Sequence, residues 1–271
     1  MNASFDLGDI ATWAGTIVAV IALLRPELGA LFTRVTNKLE FYPLDFVEVG
    51  FSNLGPTIGI AGTIEALPNS ELISLSKTVV ARTGENPTHE LRWLAFKPLS
   101  VALQPDLKDV QAAAPFRLPG QQARQMSILH CDRGFLKDIS NDLLLFRNRW
   151  NDFLARDLPS IPPVQAQNPF EVFRRFSERP ENVAIHDTLK SKFIWESGAY
   201  SLELIFECTK PRREFRHAFQ FELSPEDAAL LRQNATICLM EVCGVPNVRF
   251  NFAYPPLVGR NPEGVKTDPP S

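Results

Sequence analysis

The chain has 271 residues, of which 45% are hydrophobic and 22% charged. That balance excludes a disordered or fibrous chain, and the length allows one large or two modest domains with a proper core. A net charge of −3 gives no overall attraction for a polyanion, so nucleic acid is not an expected partner.

The N-terminal stretch Ile10–Leu24, IATWAGTIVAVIALL, carries no charge. As a helix it reaches about 22 Å against a hydrocarbon core of about 30 Å, so the expected membrane span runs from about 9 to 25, with Arg25 snorkelling at its end. A signal peptide is disfavoured because residues 1–9 hold Asp6 and Asp9 and no Lys or Arg. Arg25, Arg34 and Lys38 follow the span, and no basic side chain precedes it. The positive-inside rule then puts the N-terminus outside and the body in the cytoplasm, at an inner (plasma) membrane. The competing reading is a buried core helix or a subunit contact.

Ala11, Gly15 and Ala19 recur every fourth residue, a spacing that permits close self-association of helices in lipid. Pro26 breaks the helix. Leu28, Leu31, Phe32 and Val35 then fall on one helical face, which predicts a short amphipathic helix over 26–38, lying on the membrane surface or on the body.

From Glu40 the pattern turns to period two. Strands are expected at Phe46–Ser52, Ile58–Leu67, Leu72–Arg82, His89–Phe96 and Arg124–Asp132, separated by turn residues such as Asn53-Leu54-Gly55-Pro56. A helical insertion follows over about 134–195. Its main stripe is Phe135, Ile139, Leu143, Phe146, Trp150 and Phe153, with shorter helices at Phe170–Glu178 and about Val183–Phe193. The clearest alternation lies in Tyr200–Cys208 and Phe215–Leu223, a β-hairpin. Ser224-Pro225-Glu226-Asp227 opens a helix that should run to about 243, with Gly244 as its stop. The segment 254–271, rich in Pro and Gly, reads as a loose tail.

These elements predict a mainly β fold with an α insertion: a two-sheet antiparallel, immunoglobulin-like sandwich over 39–253, preceded by one transmembrane helix.

Chemistry is sparse. Cys131, Cys208, Cys238 and Cys243 form no CxxC pair, which points to free, buried thiols in a reducing compartment rather than a zinc or redox site. Gly55, Gly59 and Gly62 lack the GK[ST] ending of a phosphate loop, and read as turn and sheet-contact glycines. His130 and His217 fall on inward strand faces, with Cys208 and Asp132 as conceivable neighbours, but no metal-ligand spacing accompanies them. His89 and His186 lack a nucleophile nearby in sequence; a Ser or Cys within reach of a histidine would be needed for a hydrolase. Arg147, Arg149 and Trp150 resemble a base-stacking patch, yet Trp150 lies on the apolar stripe. Lys210, Arg212, Arg213 and Arg216 cluster at the hairpin tip, either as a solvated edge or as a contact for lipid headgroups, an acidic partner or a polynucleotide backbone. The sequon at Asn234 is discounted on a cytoplasmic helix.

No cofactor, metal or catalytic set is expected. The leading expectation is a single-pass membrane-anchored protein whose cytoplasmic body binds a protein partner as sensor or effector and self-associates. The alternatives are a soluble homo-oligomer burying residues 10–24, and an enzyme with a dispersed site between sandwich and insertion.

Overall fold

The computed structural model describes residues 38–85, 88–97, 111–161, 167–209 and 212–259. The expected span at Ile10–Leu24, its stripe at Ala11, Gly15 and Ala19, and the helix bearing Leu28, Leu31, Phe32 and Val35 lie outside them. No helix among the described residues is long and apolar enough to cross a membrane.

The body is mainly β and antiparallel, with helices inserted, as the alternation and the helical stripe require. In chain order it contains β1 (Lys38–Ser52), β2 (Gly55–Leu67), β3 (Glu71–Arg82), β4 (His89–Lys97), β5 (Gln111–Ala112), β6 (Phe116–Leu118) and β7 (Ala123–Cys131). The insertion holds α1 (Arg133–Arg156), α2 (Pro169–Ser177) and α3 (Pro180–Ser191). Then come β8 (Gly198–Thr209), β9 (Arg212–Leu223), α4 (Pro225–Arg232), α5 (Asn234–Val242), β10 (Phe252–Ala253) and β11 (Val258–Gly259).

The strands hydrogen-bond in one continuous order, β10-β1-β2-β7-β4-β3-β8-β9-β11. That sheet folds over so that its inner faces pack on each other: Phe41 of β1 meets Phe206 of β8 and Phe219 of β9, with ring centroids 5.9 and 6.3 Å apart. Bulges help it curve, one between Pro43 and Val47 against β2. At Gly62 the strands come so close that a Cβ would lie 2.3 Å from the Tyr42 carbonyl oxygen, so only glycine fits.

Residues 254–259 are not loose. The Phe252–Gly259 stretch pairs Val49 with Ala253 on one flank and Phe219 with Gly259 on the other. It also accepts from Val47 N–H at the Pro255 carbonyl (3.1 Å), and Leu257 N–H donates to the Asp45 carbonyl (2.8 Å). This strap ties β1 to β9 and closes the sheet into a ring. Closure satisfies backbone groups that two open edges would expose.

The helices pack over one end of that ring. Asp132 caps α1 through Gly134 N–H (2.8 Å), and the stripe buries Phe135, Ile139, Phe146, Trp150 and Phe153. Phe135 and Phe193 both meet Phe51, at 5.5 and 5.6 Å. Trp150 stacks on Phe153 and packs against Phe173 and Phe176, a core residue as its place on the stripe implied. The expected helix over 225–243 is broken at Gln233. Asn234, fully buried, turns its amide to the backbone of Asn251, donating at 2.7 Å and accepting at 2.9 Å. A buried amide must be matched, and the Asn251 backbone supplies the match.

Candidate functional site

A nucleophile does stand beside a histidine. Ser76 Oγ and His130 Nε2 share a hydrogen bond of 2.9 Å, both residues buried. Burial pushes the imidazole down to about 3, against a weaker opposing pull from the Ile58 backbone. A neutral imidazole with no solvent path is a packing device, not a base poised for turnover. Because the unfolded chain takes up this proton near pH 6.5 and the fold refuses it, stability is full above that pH. It should decline towards pH 3 by up to about 1.4 kcal/mol per unit. In urea titrations across that window, His130→Leu should flatten the decline; an unchanged slope would assign it to other groups.

His217 sits between Phe41 and Phe206, each 6.1 Å away, and burial lowers its pKa while the Glu40 carboxylate opposes. Cys208 is buried and pushed up to about 11 by desolvation. Asp132 is engaged as a helix cap. No group of three metal-ligating side chains converges among the described residues. His89 opens β4 and His186 lies in α3.

The hairpin tip is not a patch of four open cations. Arg213 turns inward to a buried ion pair with Glu71 and lies over the Phe215 ring at 4.7 Å. Arg216 bridges Glu203 (3.0 Å) and Glu214 (2.6 Å). Lys210 and the Arg212 side chain lie outside the described residues.

The structure instead brings together a cleft of about 510 Å³ at the helix-covered end, lined by Asn53, Leu143, Leu144, Arg147, Asn151, Glu241, Val242, Cys243 and Gly244. Three segments build it. The β1–β2 turn supplies Asn53. Leu143, Arg147 and Asn151 form an i, i+4, i+8 ridge on α1. The third wall is the end of α5, where Gly244 N–H donates to Glu241 O (2.9 Å) and Val245 N–H to Met240 O (3.0 Å), the paired bonds of a Schellman stop.

Its electrostatics are mixed. Burial raises the Glu241 pKa, against a hydrogen bond from the Asn53 amide to its carboxylate. Burial pushes the Cys243 thiol up to about 12, against the Arg147 guanidinium. Such a thiol is a poor nucleophile. Among the described residues, Arg147 has no carboxylate within ion-pair distance. The cleft thus brings together an exposed guanidinium, a part-buried carboxyl and two side-chain amides. In the sequence Arg147 stands out only beside Trp150; the spacing of Leu143, Arg147 and Asn151 is the signal that these side chains share one face of α1. Comparison with family models, curated proteins and solved structures matches this chain to none of them.

Proposed function

We propose that the protein is a membrane-anchored binding module. Ile10–Leu24 holds it in the bilayer, N-terminus outside, and the mainly β body works in the cytoplasm as a sensor or effector that passes binding on to a protein partner. Self-association runs through Ala11, Gly15 and Ala19. The body serves as immunoglobulin-like sandwiches do, as a stiff β frame that presents loops and clefts. The apolar span, its one-sided charge and the lack of a catalytic motif support this reading.

The observation that carries the binding role is the exposed Arg147 guanidinium, which lines one cleft with Glu241 and Asn53. The ligand class is a small molecule with an anionic group for Arg147 and a hydrogen-bond donor for Glu241. Full-length protein should be stabilised against heat by members of a library of small carboxylates and phosphates. Arg147→Ala should weaken those hits by about 10–100-fold, the worth of one charge-assisted hydrogen bond. A library with no hit that depends on Arg147 refutes the cleft. Carbonate extraction tests the anchor, and release into the supernatant refutes it.

A further inference from the structure

The path of the chain decides which end of the ring meets a bilayer. Lys38, the first residue of β1, pairs with Leu67, the last of β2. The turns 68–70 and 119–122 and the Thr209–Arg212 hairpin end lie at this same rim, since Glu71 pairs with Leu118, Ile73 with Cys208, and Glu65 with Ala123. The helical junctions gather at the other end. There β7 runs into α1 at Cys131, α3 leads into β8 at Gly198, and β9 runs into α4 at Leu223.

The Lys38 rim therefore carries no helix among the described residues, and it exposes three basic side chains among uncharged polar ones such as Asn69, Gln121 and Gln122. Lys38, Arg117 and Arg124 are all exposed. Arg124 lies over the Phe116 ring at 5.0 Å, and none of the three makes an ion pair among the described residues. The nearby carboxylates are differently placed. Glu40 and Glu65 oppose each other on β1 and β2, both half-buried, Glu71 is turned inward to Arg213, and the exposed Glu214 is bridged by Arg216 at 2.6 Å. One rung in from Arg124, Tyr42 is 53% exposed, its hydroxyl donating to the Glu40 carboxylate. An exposed cation over an aromatic ring, as Arg124 stands over Phe116, suits a headgroup layer.

We propose that this rim, through Lys38, Arg117 and Arg124, docks on the headgroups of an anionic bilayer, so that the helix-covered end and its cleft face away from the membrane. The inference rests on the reading of Ile10–Leu24 as an anchor. Residues 26–37 allow a reach of at most about 40 Å, which keeps the rim at high effective concentration over the lipid. Each basic side chain then favours the docked state by about fivefold.

The test is amide hydrogen exchange of the full chain in lipid nanodiscs of pure phosphatidylcholine, or of phosphatidylcholine with added phosphatidylserine. With the anionic lipid, exchange over 116–124 should slow, by up to about fivefold per basic residue engaged, while the 53–54 turn and α5 stay unchanged. Arg117→Glu with Arg124→Glu should erase the difference, and the β8–β9 amides report that the variant is folded. Equal exchange at the rim in both lipids, or protection at the helix-covered end, overturns the docking while the chain remains disc-bound. A chain that elutes free of the discs overturns the anchor and the docking together.

Discussion

A chain ending at Asn251 should lose stability on the order of 5 kcal/mol and self-associate. The deletion removes the strap, and with it the pairings of Val49 with Ala253 and of Phe219 with Gly259. It also removes the two backbone hydrogen bonds from Val47 and to Asp45, and the buried side chains of Ala253 and Leu257. Each backbone bond contributes about 0.5–1.5 kcal/mol, and a buried leucine about 2–5 kcal/mol. A loss of that size rivals the whole stability of an ordinary domain. The second consequence is kinetic: β1 and β9 become open edges, and open edges recruit other chains. Urea denaturation and light scattering check the two parts. A chain ending at Gly259, which keeps every one of these contacts, is the control. If the shorter form matches it in midpoint and stays monodisperse, the strap is ornamental.

Trp195→Ala should cost about 3–5 kcal/mol. The side chain is fully buried, and its indole N–H donates to the Gly50 carbonyl at 2.7 Å. Its ring meets Tyr200 at 5.8 Å and Phe221 at 6.4 Å, so it joins the exit of the insertion to both β1 and the β8–β9 hairpin. Alanine leaves a cavity and removes the indole hydrogen bond together. Trp195→Phe keeps most of the volume and should cost only about 1–3 kcal/mol, the loss of the hydrogen bond to Gly50. The difference between the two variants in chemical denaturation separates packing from hydrogen bonding. A cost under about 1 kcal/mol for alanine would mean that the insertion does not dock where the structure puts it.

The parts of this fold that are legible in the sequence are those whose cause is local. Tyr200, Leu202, Leu204, Phe206 and Cys208 alternate because each second residue faces the interior, and all five are buried. The Ser224-Pro225 start is legible for the same reason: Ser224 Oγ accepts from Asp227 N–H at 3.0 Å. Arg213 shows a signal present but not used. It shares the parity of Phe215, His217 and Phe219, so alternation alone turns it inward; only its partner Glu71, far away in sequence, was beyond reach. The break at Gln233 was hidden because Asn234 has its match at Asn251, on a different segment. The strap was hidden more deeply. Tyr254-Pro255-Pro256 looks like an unpaired tail, and prolines cannot donate, yet here the Pro255 carbonyl accepts and its neighbours pair. The cleft is assembled from three segments and left only its α1 ridge in the sequence.

The strap also sets a clock. Val49 waits for Ala253, a separation of 253 − 49 = 204 positions. At a synthesis rate of about 5–20 residues per second, the first strand of the body spends roughly 10–40 s with that flank unmatched. During that interval nothing in the nascent chain can substitute for the missing segment, because β2 already occupies the other flank of β1. The ring is thus a structure that matures last at the place where it began, and a cell making it must shield its oldest strand until its youngest arrives.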